Sequence, residues 1–314
     1  MFRISSSICG ITSPKDKDMK KNLRIIGVPM DLGQNHRGVD MGPSAVRYAN
    51  LAKSLRDLGH TTFDSGDITI PGHYALANTS LRERLPLICN ACKCAYELGK
   101  NAVEHGEIPI FLGGDHSASI GTVGGVTHDA EIGLIWIDAH GDFNTPDTSD
   151  SQNVHGMALA VLLGLGPREL VDVGRPGPKV KAENVVLIGV RDLDQEEKEL
   201  IRASGCTVFT MRDVDEIGIR AVLTRVLKGF KHLDKIHVSL DLDVMDPLDA
   251  PGVGTPSQGG LTYREGQLIM EILAETEKLH SVDIMEINPI LDIQNRTAQM
   301  AVNLVSSLFG KKIL

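Results

Sequence analysis

Six acidic or imidazole side chains follow short apolar runs of the sequence, at positions that could hold metal ions. They are His116, Asp138, His140, Asp142, Asp241 and Asp243. Several of them stand two residues apart, and residues two apart in an extended chain point to the same side. A single aspartate in such a place is more often a helix cap or a surface charge. The combination of all six predicts a metal centre.

The number of carboxylates in this set predicts two divalent cations. Four clustered aspartates carry a charge of −4, which raises their pKa values and destabilises the fold unless cations compensate it. Two divalent ions would neutralise the four negative charges, whereas one ion would leave a net charge of about −2 on the cluster. Imidazole and oxygen donors without a thiolate favour manganese, so we expect two Mn²⁺ ions per subunit.

Such a centre predicts hydrolysis. Two divalent cations about 3.5–4 Å apart commonly hold a water and lower its pKa towards neutrality, which provides a hydroxide nucleophile. His155 follows the predicted metal loop and could move protons, although a histidine at a helix N-terminus would look the same. Glu286 ends an apolar run and could bind a cationic substrate group through paired hydrogen bonds, or form an ordinary ion pair.

Alternating strand and helix patterns must position these side chains. The candidate strands are Leu23–Val28, Ile108–Leu112, Ile132–Asp138, Val185–Val190, Thr207–Thr210, Ile236–Asp241 and Val282–Ile287. The candidate helices are Pro43–Leu58, Leu81–Glu104, His155–Leu165, Asp194–Ala203, Val214–Phe230, Thr262–Leu279 and Arg296–Leu308. The strands are apolar throughout, as in a sheet covered on both faces. The pattern predicts an α/β protein: a three-layer α/β/α sandwich around a mostly parallel sheet.

In such a sheet ligands bind beyond the carboxyl ends of the strands, so the polar strand ends are expected to converge on one site. We see no internal repeat, linker or change of composition, and predict a single domain over residues 22–314. Residues 1–21 are expected to form a flexible N-terminal extension. Its serines, its early arginine and the lack of acids before Asp16 also resemble an organellar transit peptide.

Composition excludes other classes of protein. The net charge of −9 argues against a nucleic-acid partner. The longest uncharged apolar stretch, about Val154 to Pro167, is too short to cross a membrane. The five cysteines are odd in number and scattered, which favours a reducing compartment. Cys89, Cys92 and Cys94 could form a metal clip, but without a second set they fit better as small apolar residues on a helix.

The segments around these residues resemble the ureohydrolases, and within them the arginases, over nearly the whole chain from Leu23 to Phe309. The superfamily segments are Gly27–Gly33, Gly38–Ser44, Gly113–Ser117, Asp138–Asp142, Ser239–Asp243 and Met285–Pro289. The arginase branch is indicated by Asn144–Pro146, by Ser151–Gly156, and by Asp249–Pro256 leading into Gly259–Arg264.

This resemblance implies a dinuclear manganese centre that hydrolyses L-arginine to L-ornithine and urea through a metal-bridging hydroxide. The implied metal ligands are the same six residues. In addition, Asp142 accepts a hydrogen bond from the hydroxide, Glu286 binds the guanidinium group and His155 carries protons. The implied substrate-binding residues are His140, Asn144, Ser151, Asn153, Asp194, Glu197, Thr255 and Glu286.

Within this set, Asn144, Ser151 and Asn153 are implied to bind the α-carboxylate, and Asp194, with Glu197 nearby, the α-amino group. Thr255 is expected near the metal-bound end of the substrate. One position departs from the family pattern: many relatives have Gly between the Ser and the Asn, where this chain has Gln152. A left-handed backbone there would cost a glutamine about 1 kcal/mol and could shift the loop.

The sequence leaves two alternative functions open. Agmatinase, or another enzyme acting on a guanidino substrate, would leave the α-carboxylate residues without a role. A catalytically silent relative that only binds its partner is disfavoured by the complete set of ligands. The resemblance also implies a homotrimer or homohexamer. We expect a cytoplasmic location, with a mitochondrial one as the alternative if residues 1–21 are a transit peptide.

Overall fold

Eight strands form the central sheet of the computed structural model, which describes residues 20–71 and 79–312. The strands are β1 Asn22–Val28, β2 Thr61–Asp67, β3 Ile108–Gly113, β4 Gly133–Ile137, β5 Val185–Val190, β6 Thr207–Thr210, β7 Ile236–Asp241 and β8 Leu279–Met285. They pair in the order β2-β1-β3-β8-β7-β4-β5-β6, and every pairing is parallel. The mostly parallel sheet predicted from the sequence is confirmed.

Helices cover both faces of this sheet. They are α1 Gly42–Tyr48, α2 Leu51–Asp57, α3 Leu81–Glu104, α4 Ser119–Val126, α5 Ala158–Leu162, α6 Arg168–Val171, α7 Gln195–Ser204, α8 Met211–Ile217, α9 Ile219–Gly229, α10 Tyr263–Ala274 and α11 Arg296–Leu308. One apolar cluster joins the sheet to α1, α2 and α8–α11, and a second joins it to α3–α7. Because alternate strand residues point to opposite faces, Ile135 enters the first cluster and Trp136 the second. The three-layer sandwich is confirmed.

Four predicted helices differ in extent from the structure. The expected helix Pro43–Leu58 is two helices, because Asn50 has a left-handed φ of 66°. Gly218, with φ 78°, likewise separates α8 from α9. The helix expected to reach Leu279 ends at Ala274, and the next apolar run belongs to β8. The helix expected over His155–Leu165 is a 3₁₀ turn, His155–Met157, followed by the short α5.

Sequence periodicity also missed three elements, of which the four-residue helix α6 is too short to show a helical period. Strand β2 lies at the edge of the sheet and is largely exposed, so it lacks the apolar run that marks the buried strands. Helix α4 is buried along its whole length and rich in glycine, so it shows no polar face.

Several expectations concern residues at the chain ends or the cysteines. Residues 1–19, which hold most of the predicted extension and Cys9, lie outside the described residues. The other four cysteines are unpaired, and the candidate metal groups in the described part of the chain contain none of them. No helix in residues 20–71 or 79–312 is long and apolar enough to span a membrane.

Candidate dinuclear metal centre and substrate cavity

The polar strand ends converge, as predicted, because β3, β8, β7 and β4 are consecutive neighbours in the middle of the sheet. His116 begins a short 3₁₀ turn, separated from the end of β3 by Gly114 and Asp115. Asp138 follows β4, and Asp241 is the last residue of β7. Asp243 lies in the next 3₁₀ turn, Leu242–Val244. Parallel strands therefore place these candidate ligands at the same edge of the sheet.

The first group of ligands is centred on the imidazole of His116. Its Nδ1 lies 3.1 Å from Asp138 Oδ2, 3.0 Å from Asp142 Oδ2 and 3.0 Å from Asp241 Oδ2. The ring stacks on Trp136, with centroids 4.0 Å apart and an interplanar angle of 8°. All of these side chains are buried. One nitrogen and three carboxylate oxygens thus face a common point.

The second group is centred on His140 and shares one aspartate with the first. His140 Nδ1 lies 3.0 Å from Asp243 Oδ2 and 3.5 Å from Asp138 Oδ1. Asp138 therefore turns one oxygen towards each group. The Thr255 hydroxyl donates to Asp243 Oδ2 at 3.0 Å, and the Ala139 N–H donates to Asp243 Oδ1 at 3.2 Å. A shared carboxylate between two ligand groups is suited to a pair of neighbouring ions.

The hydrogen-bond partners in the first group indicate whether it fits a metal. His116 Nε2 lies 2.9 Å from Ser239 Oγ, and the Ser239 hydroxyl also bonds the buried Asp283. If that hydroxyl donates to Asp283, its oxygen accepts the Nε2 proton, and Nδ1 turns its lone pair towards three carboxylates. Neither His116 Nδ1 nor Asp142 Oδ2 has a hydrogen-bond partner. The group fits a divalent cation, which would satisfy both atoms.

Burial and mutual repulsion set the charges of the ligands. Burial and the charge of Asp138 raise the pKa of Asp142 to about 6. Burial and two neighbouring aspartates raise the pKa of Asp241 well above its ordinary value. Burial also favours the neutral form of Asp138, but the neighbouring imidazoles of His116 and His140 lower its pKa. Cations among these carboxylates would relieve the repulsion.

A cavity of about 270 Å³ opens beside the second group. Its lining residues are His140, Asp142, Asn144, His155, Gly156, Asp192, Asp194, Glu197, Asp241, Asp243 and Thr255. The volume suits a small molecule. Most of the predicted substrate-binding residues line it, whereas Ser151, Asn153 and Glu286 do not.

The residues predicted to bind the amino-acid end of the substrate lie at this cavity and on the adjacent loop. Asn144 Nδ2 donates to Asp194 Oδ2 at 2.7 Å, and Asp194 caps α7 through the Glu197 N–H. Glu197 accepts the Phe143 N–H at 2.9 Å, and burial raises the pKa of Glu197 to about 8. These contacts hold the metal-binding loop against α7.

The loop that carries Ser151 and Asn153 turns through Gln152, whose φ of 57° is left-handed. Its side-chain amide donates to the Pro146 carbonyl at 2.8 Å and also to the Ser149 carbonyl. Asn153 Oδ1 is buried without a hydrogen-bond partner. The strained backbone anticipated at Gln152 is thus present, and the side chain of Gln152 crosslinks the loop.

Glu286 and His155 form a pair next to the first ligand group. Glu286 Oε1 accepts the His116 N–H at 2.8 Å and lies 3.0 Å from His155 Nδ1. Burial opposes a charged imidazole, but the Glu286 carboxylate raises the pKa of His155 to about 9. The ion pair keeps Glu286 ionised, and its pKa is lowered despite burial.

Two site residues were missed from the sequence. Asp192 lines the cavity, and its oxygen lies 3.9 Å from His140 Nε2. Its spacing of two from Asp194 repeats the pattern of the metal loops and could have indicated it. Gln34 donates to Glu286 Oε2 at 2.9 Å from a loop after β1, and no spacing or periodicity indicates it.

Comparison with known proteins identifies the family. The model of the Arginase family matches residues 21–310. The chain belongs to the arginase family. An arginase of Brevibacillus brevis is 49% identical over 300 residues, which cover 94% of this chain and 100% of the relative.

Solved arginase-family structures share the fold. The arginase of Bacillus caldovelox has a TM-score of 0.91 at 48% identity and covers 94% of this chain and 100% of its own. The arginase of Entamoeba histolytica, solved in complex with L-ornithine, has a TM-score of 0.85 at 30% identity and covers 93% and 100%. Arginases depend on two metal ions, and the two His/Asp groups of this chain are suited to divalent metals.

Proposed function

We propose that this protein is a manganese-dependent hydrolase that converts L-arginine to L-ornithine and urea. The observation that carries the proposal is the pair of His/Asp groups that share Asp138, next to the ionised Glu286. Family membership supports the reaction, and a structural neighbour is described as an arginase in complex with L-ornithine.

The metal ions would be held by the two groups described above. The residues are His116, Asp138, His140, Asp142, Asp241 and Asp243. Two bound divalent ions supply a water of lowered pKa, and so a nucleophile at neutral pH. The donor set of imidazole and carboxylate, with no thiolate, favours Mn²⁺.

The protein's own residues orient the substrate and carry protons. Glu286 binds the guanidinium through a charge-assisted hydrogen bond and holds its carbon in place for attack. Asp142, whose Oδ2 lies in the first ligand group, would accept a hydrogen bond from the attacking water as well as ligating metal. As the C–O bond forms and the C–N bond to ornithine breaks, the leaving amine takes a proton from Asp142 or from His155. His155 lines the cavity and suits this role.

The other end of the substrate is recognised at the cavity wall and on the adjacent loop. We assign the α-carboxylate to Asn144, Ser151 and Asn153, and the α-amino group to Asp194, with Glu197 behind it. Asn144 and Asp194 line the cavity as a hydrogen-bonded pair. Thr255, which also lines the cavity, would hold Asp243 in place.

Urea release from L-arginine and from agmatine, each with and without Mn²⁺, tests the proposal. We expect urea from L-arginine, loss of turnover after chelation, and restoration by Mn²⁺ above other divalent ions. Agmatine lacks the α-carboxylate, so faster turnover of agmatine would favour an agmatinase. Failure to bind manganese or release urea would favour a silent binding relative.

We also propose self-association into a homotrimer or homohexamer. Exposed apolar side chains support it, because Leu248 is 82% exposed and Ile290 is 63% exposed. Sedimentation at micromolar concentration tests it, and a monomer would contradict it. The cytoplasmic location stays a prediction, supported by four unpaired cysteines in the described residues.

A further inference from the structure

The Glu286 carboxylate is held from several sides. Its Oε1 accepts the His116 N–H and lies at hydrogen-bonding distance from His155, while its Oε2 accepts the Gln34 amide at 2.9 Å. The Glu286 backbone is left-handed, with φ 62°, and its N–H donates to the Gly114 carbonyl. A carboxylate has about four lone-pair directions, so these contacts leave one acceptor position, on Oε2.

Gln34 supplies a second free acceptor beside that position. Its side chain is fully buried, and its Oε1 has no hydrogen-bond partner. The loop is rigidly held, because Arg84 donates to the Leu32 and Gln34 carbonyls and the His155 N–H donates to the Gly33 carbonyl. A buried amide oxygen without a partner is costly unless a ligand or water satisfies it.

Gly254 leaves space in front of both acceptors. A Cβ at Gly254 would lie 3.3 Å from Gln34 Oε1 and 3.7 Å from Glu286 Oε2, and it would meet no other atom within 4 Å. Gln34 Oε1 and Glu286 Oε2 therefore border the same small space. That space would be filled by any side chain at position 254.

We propose that Gln34 is a specificity-determining residue that binds the guanidinium group of the substrate together with Glu286. The Gln34 amide N–H orients Glu286 Oε2, and its carbonyl accepts a second N–H of the planar guanidinium. A guanidinium presents N–H donors in a rigid fork, whereas the ammonium of ornithine is a compact point charge. The inference rests on the proposed function and deepens it.

Gln34→Met tests the inference, because methionine keeps the length of the side chain but removes both the donor and the acceptor. In the manganese-loaded enzyme we expect KM for L-arginine to rise at least about tenfold, the size of effect that loss of a hydrogen bond to a charged group produces. The calorimetric Kd of L-ornithine and the manganese content should stay within about twofold of wild type. Gln299→Met, on the exposed surface of α11, is the matched control.

Gly254→Ala is the second variant, and it leaves Gln34 in place. Its methyl group would fill the space facing the two acceptors, so KM for L-arginine should rise while the Kd of L-ornithine does not. Wild-type kinetics in Gln34→Met or in Gly254→Ala would overturn the inference. Equal losses for L-arginine and L-ornithine, or loss of manganese, would also overturn it, because they indicate a structural role. A wild-type enzyme that releases no urea would instead contradict the proposed function, and the inference with it.

Discussion

Three residues of the candidate site have a strained backbone. Asp142, Gln152 and Glu286 all have left-handed φ values, between 51° and 62°. Non-glycine residues in this region cost about 1–3 kcal/mol and persist only where their surroundings hold them. At Glu286 the surroundings are the contacts with Gln34, His116 and His155. The backbone conformation and these contacts together fix the orientation of the Glu286 carboxylate.

Glu286→Gln should remove most of kcat/KM for L-arginine, at least about a hundredfold, because a neutral amide loses the charge-assisted hydrogen bond to the guanidinium. Metal content should be unchanged, since Glu286 is not among the proposed metal ligands. Steady-state kinetics and metal analysis check both points. The surface variant Glu216→Gln should behave as wild type. Loss of manganese from Glu286→Gln would show that Glu286 is a ligand.

Gln152→Gly should raise KM for L-arginine several-fold. Glycine removes about 1 kcal/mol of left-handed strain, but the loop loses the amide contacts to Pro146 and Ser149 that hold Ser151 and Asn153. Inhibition by agmatine, which lacks the carboxylate, should be unchanged. Equal changes for both compounds would place the α-carboxylate away from this loop.

Close packing of helix α4 on helix α3 supports the candidate site. Helix α4 approaches the backbone of α3 through glycines: a Cβ at Gly121 would lie 2.2 Å from the Cys92 carbonyl, and one at Gly125 would lie 2.2 Å from that of Tyr96. From α4, Ser119 donates to Asp283 at 2.9 Å, within the network that orients His116. The separation of the two helices therefore affects the metal centre indirectly.

Gly125→Ala should lower the free energy of unfolding by about 1–3 kcal/mol, because the methyl group overlaps backbone rather than a movable side chain. Gly229→Ala is the control. Gly229 ends α9 with helical φ and ψ and has open space around it, so alanine there should be neutral or stabilise by up to about 1 kcal/mol. Denaturant unfolding compares the two. Equal stabilities would contradict the close contact.

Binding of the proposed metal ions should stabilise the whole folded molecule. Four aspartates converge in the folded protein and separate when it unfolds, so cations that bind only the folded state stabilise it. The unfolding temperature of chelator-treated protein should therefore rise with added Mn²⁺ in proportion to the logarithm of its concentration. A melting temperature that does not respond to Mn²⁺ would contradict the proposed metal centre.

The stability of the metal-free protein should also fall as pH rises from about 6.5 to about 9. The pKa of His155 is raised from 6.5 to about 9 in the folded state, so its ion pair with Glu286 stabilises fully below pH 6.5 and is lost through pH 9. Urea unfolding at several pH values should show a smaller fall for His155→Gln. His105→Gln, at an exposed histidine, should keep the wild-type slope. Identical slopes for all three proteins would contradict the ion pair.

The fold class and the convergence of the candidate metal ligands could be predicted from the sequence. Apolar runs with acids and imidazoles at their ends predict both, because the carboxyl ends of neighbouring parallel strands share one edge of a sheet. Edge strand β2 and buried helix α4 were not predicted, because neither shows the apolar periodicity on which such predictions depend. Two features became visible in the folded structure alone: both ligand groups share Asp138, and Gln34 contacts Glu286, 252 positions away in the chain. The spacing of residues along a strand predicts which side chains point in the same direction. Contacts between distant loops depend instead on which strands are neighbours in the folded sheet.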